Sequence, residues 1–159
     1  MSQSAALPPD CPRPARVLVL GGDGIGPEVT AQALRVLRHV AAQDGLPLTL
    51  EEGEFGLAAW RSRGALLPPA TREAEARADA VLFGAVNSLD GNGIPAEARR
   101  RGGLNAMRRR LDLFANLRPV RADPALAEVS PETRRVLGGV DLVLVRELSG
   151  GVYFGEPRG

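Results

Sequence analysis

The order of apolar and glycine-rich segments between residues 16 and 84 most restricts the possible fold. Arg16–Gly21 is a short apolar run typical of a buried parallel strand. A glycine-rich turn follows, and Pro27 occupies the first position of a predicted helix that extends to about Gln43. The sequence next predicts a strand over 46–55, a helix over 69–78 and a strand over 80–84. This succession predicts an α/β fold with a mostly parallel sheet, right-handed connections and flanking helices.

The second half of the chain has a less regular pattern. Residues 87–103 are rich in glycine, proline and arginine and predict a long surface loop, a type that is often functional. A short helix is predicted over 104–111. An extended segment follows over 114–122, although Pro119 argues against a central strand position. Residues 123–139 have an irregular pattern, and the apolar run 140–148 predicts a buried strand.

Composition excludes several classes of protein. The chain has 159 residues, 44% of them hydrophobic, which is sufficient for a globular core. All 20 basic residues are arginine, yet 19 acidic residues balance them and only 4% are aromatic, so we expect no nucleic-acid partner. No apolar run approaches the ~18 residues of a membrane span. The proline-rich segment 1–15 predicts a mobile leader without signal-peptide features, and Cys11 is the single cysteine, so we expect a cytoplasmic protein.

Three arginines are distinguished by their positions. Arg108 lies on the predicted short helix, Arg118 on the extended segment and Arg146 near the end of an apolar run. A buried guanidinium is costly unless an anion meets it. One interpretation is an internal ion pair of Arg146 with Glu147 or Asp112. The other is a clamp for a substrate carboxylate, because the guanidinium fork matches a carboxylate through two hydrogen bonds.

Other polar features have weaker predictive value. The run Gly22–Pro27 has the spacing G-x-G-x-G-P, which departs from the G-x-G-x-x-G fingerprint of dinucleotide-binding sites. It is equally compatible with an ordinary strand-to-helix turn. Tyr153 is the single tyrosine, and most tyrosines are packing residues with a hydrated hydroxyl. His39 lies within the first predicted helix, so we expect it to be a surface residue rather than a catalytic base.

Three longer blocks carry a resemblance to a known family: Gly22–Glu28, Leu113–Pro119 and Val145–Gly159. With them the chain resembles the N-terminal part of the isopropylmalate dehydrogenases, a branch of the β-decarboxylating dehydrogenases. The resemblance covers nearly everything from Arg16 onward. It implies the fold of that family in truncated form, with 16–113 in the first domain and 114–159 at the start of the second.

The resemblance also implies a reaction, the NAD-dependent oxidative decarboxylation of isopropylmalate in leucine biosynthesis. By position in the family's motifs, Arg108, Arg118 and Arg146 would bind the carboxylates of the substrate. Leu104 would contact its apolar group. Tyr153 would donate a proton to the enol that remains after carbon dioxide leaves.

The same resemblance implies where the cofactor binds. Ile25 would lie near the nicotinamide, and Ser88, Gly93 and Ile94 would contact NAD from a cofactor loop over 87–101. The aspartates that bind Mg²⁺ or Mn²⁺ belong to a part of the family's sequence that this chain does not contain, so we expect no metal ligand here. The family is homodimeric and about twice as long, and the 159 residues alone are expected to be inactive.

Departures from the family's pattern leave alternatives open. Isopropylmalate enzymes usually carry two apolar residues where this chain has Leu104 and Asn105, and a polar Asn105 would weaken an apolar pocket by about 1–3 kcal/mol. A tartrate- or malate-type β-decarboxylating dehydrogenase is therefore an alternative. A non-catalytic remnant or accessory subunit that binds a small dicarboxylate is another.

Overall fold

The computed structural model describes residues 13–86, 93–123, 125, 139–148 and 150. The chain divides into two compact units, Met1–Gly103 (unit 1) and Leu104–Gly159 (unit 2). The predicted domain limits of 16–113 and 114–159 stay a prediction. No helix in the described ranges is both long and apolar enough to cross a membrane.

Unit 1 is built on a three-stranded parallel sheet. Its strands are β1 (Ala15–Gly22), β2 (Leu48–Gly53) and β3 (Ala80–Ala85), and β1 lies in the centre. Within the sheet, Leu18 of β1 lies opposite Glu51 of β2 on one side and opposite Val81 of β3 on the other. The predicted α/β fold with a parallel sheet is confirmed. β1 begins within the predicted leader, and Arg13 just before it forms an ion pair with Asp79.

Within the described part of unit 1, this sheet is accompanied by four helices: α1 (Gly26–Gln43), α2 (Gly56–Arg63), α3 (Pro69–Arg77) and α4 (Ala96–Gly102). The helices α1 and α3 match the predicted ones. The sequence analysis missed α2, whose helical pattern is short. It was also wrong about 96–102, which form α4 inside the predicted loop, because the Ala96–Arg101 run contains good helix formers after the glycines end.

The two faces of β1 are covered by different helices. Leu18 and Leu20 are 1% and 0% exposed and lie on the side of the sheet that faces α3. Gly21 faces Pro27 at the start of α1. Because β1 is buried on both faces, its uninterrupted apolar sequence is the one expected for a central parallel strand.

Helix α1 approaches the sheet through residues without large side chains. A β-carbon at Gly26 would lie 2.1 Å from the carbonyl oxygen of Gly21 and 2.9 Å from the backbone nitrogen of Ala85. The face of α1 that packs includes Thr30 and Leu34, both buried. The apolar residues that predicted the helix lie largely on its exposed side, at Val29, Ala33, Val36 and Val40.

The described residues of unit 2 form one helix and a two-stranded antiparallel sheet. The helix is α5 (Leu104–Arg110), and the strands are β4 (Ala115–Arg121) and β5 (Asp141–Glu147). The positions of all three elements agree with the sequence analysis. The prediction that β5 is buried was wrong, since all seven of its residues are exposed. In the described part of unit 2 β5 pairs with β4 alone, so no further layer covers its faces.

Candidate anion-binding site

Two of the three predicted arginines lie on one face of the β4–β5 sheet. Asn116 pairs with Arg146 across the strands, and Arg118 pairs with Leu144. Residues two apart on a strand share a face, and so do residues directly opposite each other. Arg118 and Arg146 are therefore diagonal neighbours on the face that also carries Asn116. We call this the arginine face.

The third arginine joins them from α5. Burial, and then the positive charges of Arg146 and Arg118, lower the pKa of the Arg108 guanidinium below its ordinary value. Coulombic effects of this kind require short separations. Unit 2 thus brings together the three arginines that the sequence placed far apart along the chain.

Arg108 is half-buried, whereas Arg118 is exposed. Within the described ranges, no carboxylate forms an ion pair with either of them. The like charges of Arg108 and Arg118 repel one another unless an anion lies near both. The arrangement is therefore suited to a dianion, and guanidinium groups match carboxylates by charge and by shape.

Two carboxamides contact this cluster. The side-chain Oδ1 of Asn116 accepts a hydrogen bond from Nε of Arg118 at 2.8 Å. The Oδ1 of Asn105 accepts one from Nη1 of Arg108 at 3.5 Å, which is too long for a strong bond. Sequence reasoning missed Asn116, and its only signal was its position two residues before Arg118.

Leu104 and Tyr153 are the other two residues predicted to contact the substrate. Leu104 is half-buried in the first turn of α5. Tyr153, predicted to be the proton donor, lies outside the described residues. The proposed contacts of both with a substrate stay predictions.

The residues predicted to bind NAD are located in different environments of unit 1. Ile25 is 57% exposed at the start of α1, and Gly93 is exposed with φ +66°. Ile94 is 5% exposed and packs in the core with Leu57 and Leu66, so its side chain offers no surface to a ligand. Ser88 lies outside the described residues.

Asp23, in the glycine-rich turn before α1, has a structural role that the sequence did not reveal. Its carboxylate accepts hydrogen bonds from the backbone N–H of Leu57 at 3.0 Å and of Ala58 at 2.9 Å, in the first turn of α2. Gly56 has φ +82°, and a β-carbon there would lie 2.4 Å from Asp23 Oδ2. A carboxylate thus already occupies the N-terminus of α2, where an anion would otherwise be favoured.

In the portions of the chain that the structure covers, no group of three His, Cys, Asp or Glu side chains could hold a metal ion. In α4, Arg100 and Arg101 both pair with Glu97, which lowers the pKa of that carboxyl below its ordinary value. These two positive charges are therefore partly neutralised within their own helix.

Comparison with known proteins identifies the family. The sequence profile described as isocitrate/isopropylmalate dehydrogenase matches residues 16–159. The chain belongs to this family. The match includes every element of the fold from the second residue of β1 onward, together with all three arginines.

Relatives within the family share much of the sequence but are longer. The chain is 46% identical over 143 residues to 3-isopropylmalate dehydrogenase 1 of Bradyrhizobium diazoefficiens, covering 90% of this chain and 38% of that one. It is 49% identical over 144 residues to 3-isopropylmalate dehydrogenase of Symbiobacterium thermophilum, covering 90% and 39%. The chain thus spans about two fifths of the length of these relatives.

A solved structure from the family agrees with the fold. The β-decarboxylating dehydrogenase of Thermococcus kodakarensis in its apo form is 33% identical, with a TM-score of 0.58. The similarity covers 84% of this chain and 33% of that one. The fold of this chain is thus similar to that of a β-decarboxylating dehydrogenase.

Proposed function

We propose that this chain supplies the substrate-carboxylate clamp of an isopropylmalate-type dehydrogenase that carries out NAD-dependent oxidative decarboxylation in leucine biosynthesis. The observation that carries the proposal is the placement of Arg118 and Arg146 on one face of the β4–β5 sheet, and the lowered pKa of Arg108, to which both of their charges contribute, supports it. Family membership and the names of relatives that are 46–49% identical support the same reaction class.

The role of the clamp follows from its charge. A 2-hydroxy acid with two carboxylates carries two negative charges at neutral pH, and three guanidinium groups offset them with directed hydrogen bonds. Half-burial of Arg108 raises the cost of leaving its charge unpaired, so binding an anion relieves an existing repulsion. The clamp would thereby fix the position of the substrate before the chemical steps.

The cofactor and the metal belong to the proposal but not to the described site. NAD would accept the hydride, and Mg²⁺ or Mn²⁺ would stabilise negative charge on the substrate. In the described ranges Ile94 is buried, so its side chain would not contact NAD, and no group of three His, Cys, Asp or Glu side chains could hold the metal ion. We propose that the 159 residues alone do not produce NADH.

Asn105 favours a second candidate, a tartrate- or malate-type dehydrogenase. Its side chain is exposed and its Oδ1 lies 3.5 Å from Arg108 Nη1, at the place where the family's isopropylmalate branch carries a second apolar residue. A carboxamide next to the clamp is better suited to a hydroxyl than to an isopropyl group, since it can hydrogen-bond the hydroxyl. The two candidates share the clamp and differ in the group beside it.

A chimera tests the proposal and separates the two candidates. Residues 16–159 would replace the matched 144 residues of the Symbiobacterium relative. NADH formation would then be measured with isopropylmalate and with tartrate, in the presence of NAD and Mn²⁺. We expect isopropylmalate-dependent NADH formation, which decreases at least about 100-fold in an Arg118→Gln chimera, because one charge-assisted bidentate contact is lost.

The matched control is Arg121→Gln, which removes an arginine from the same strand on the opposite face of the sheet. We expect its activity to equal that of the unaltered chimera. Preference for tartrate would support the second candidate. A folded chimera that turns over neither substrate would reject both candidates and favour a non-catalytic accessory protein. By the family relationship we further propose a homodimeric, cytoplasmic protein without nucleic-acid or membrane partners.

A further inference from the structure

Asn116 occupies a central position on the arginine face. It lies directly across the strands from Arg146 and hydrogen-bonds Nε of Arg118 at 2.8 Å. A neutral side chain is thus placed between two positive charges that both belong to the proposed clamp. Among the described residues, Asn116 is the one side chain that hydrogen-bonds Arg118.

We propose that Asn116 is a positioning residue for the dicarboxylate clamp, which it serves by holding Arg118 in place. This inference rests on the proposed function and adds a specific role within it. The hydrogen bond uses Nε, the one guanidinium nitrogen that is not at the end of the fork. Both terminal nitrogens of Arg118 therefore remain available to an oxyanion in the bidentate arrangement.

Orientation in advance reduces the entropic cost of binding. A free arginine side chain has several rotatable bonds, and its immobilisation on binding opposes association. The bond to Asn116 restricts these rotations before the ligand arrives. Arg118 is otherwise exposed, so it lacks the packing that would restrict a buried side chain.

The neutral charge of Asn116 is as important as its geometry. An aspartate at the same position would accept the same hydrogen bond from Arg118 and would lie opposite Arg146. Its negative charge would then neutralise the clamp from within and repel a dianion. Asparagine provides the acceptor without the charge, which leaves the positive field to the ligand.

The test uses the 159-residue chain with malonate as the dicarboxylate probe. Affinity would be measured by titration, and hydrogen exchange at Arg118 Nε by ¹H–¹⁵N NMR. We expect Asn116→Leu to accelerate exchange at Nε and to weaken malonate binding about 2- to 10-fold, because the side chain is no longer ordered in advance. Asn116→Asp should keep exchange slow yet weaken binding about 100-fold, because a like charge then faces the dianion.

Asn116→Leu should change both measurements, whereas Asn116→Asp should change malonate binding alone, a separation that a merely structural role would not produce. Arg121→Gln, on the opposite face of the same strand, is the control and should leave both measurements unchanged. If the unaltered chain binds malonate and Asn116→Leu matches it in both measurements, the positioning role is rejected and the clamp stands. Equal malonate affinity of Asn116→Asp and the unaltered chain would also reject the role. If malonate binds neither to the unaltered chain nor to the chimera, in which the rest of the relative's sequence accompanies residues 16–159, the clamp itself is rejected, and the role of Asn116 with it.

Discussion

The strands β1 and β5 have similar apolar sequences but opposite environments. In β1, Leu18 and Leu20 are 1% and 0% exposed, whereas in β5, Leu144 and Val145 are 56% and 66% exposed. β1 has a parallel neighbour on each side and helices on both faces, while in the described residues β5 has one antiparallel neighbour. The comparison shows that an apolar run predicts a strand, whereas burial depends on the layers that surround it.

The relatives suggest what this difference reflects. The chain spans 38% and 39% of the length of two isopropylmalate dehydrogenases that it resembles at 46% and 49% identity. A two-stranded sheet is only marginally stable in water without a further layer or strand. We propose that the faces of the β4–β5 sheet are packed against further polypeptide in a protein of the family's full length. Unit 1, by contrast, already has a buried core in the described residues.

The largest loss of stability is expected for a substitution where α1 packs against the sheet. A Gly26→Ala change places a methyl group 2.1 Å from a backbone oxygen that cannot move without distorting β1. We expect unit 1 to lose at least about 3 kcal/mol of stability, measured by urea unfolding followed by circular dichroism. Gly21→Ala, whose nearest contact would be 3.3 Å, is the matched control and should cost much less. Equal losses would contradict the close packing described for α1.

A pair of truncations tests the comparison of the two strands directly. Leu20→Ala in β1 should reduce the free energy of unfolding by about 2–5 kcal/mol, because it removes fully buried methyl groups. Val145→Ala in β5 should change it by no more than about 0.5 kcal/mol, since the side chain is exposed. A loss at Val145 as large as that at Leu20 would show that β5 is covered in the isolated chain.

The smallest loss of stability is expected from removing the ion pair between Arg13 and Asp79, next to the start of β1. The hydrogen bonds from Arg13 and from the backbone N–H of Arg16 hold the pKa of the Asp79 carboxyl well below its usual range. The contribution of the Asp79 carboxylate to stability is therefore fully present above its pKa in the unfolded chain, about 3.9. It is lost as the pH falls through the lower pKa of the folded state. Asp79→Asn should reduce the free energy of unfolding slightly at pH 7, and this loss should shrink as the pH is lowered from about 4 toward about 2. A loss that stays the same over that range would contradict this origin.

The sequence predicted most of the fold, and the reasons for its errors are physical. The strands β1 and β3 and the helices α1 and α3 follow from local patterns, because glycine and proline mark their ends. The helix α2 depends on a distant residue, since Asp23 satisfies the N–H groups of Leu57 and Ala58 from 34 and 35 residues away. No sequence pattern within residues 56–63 indicates that contact. The burial of β5 depends on layers that a single strand's sequence does not contain.

The candidate site was predicted in part. The three arginines were identified by the family's motifs and by the cost of placing a guanidinium in an apolar run. That physical argument was wrong for Arg146, because β5 is exposed, and it applies to Arg108 instead. Asn116 could not be found from its residue type, since its role follows from the antiparallel register that places it opposite Arg146.

Isothermal titration of the 159-residue chain with isopropylmalate tests the central claim most directly. We expect one dianion per chain, with about 10- to 100-fold weaker binding in each of Arg108→Gln, Arg118→Gln and Arg146→Gln, since each loses a charge-assisted contact. The monoanion acetate should bind much more weakly than the dianion. If all three variants bind isopropylmalate as tightly as the unaltered chain, the three guanidinium groups do not form one site, and the account is contradicted.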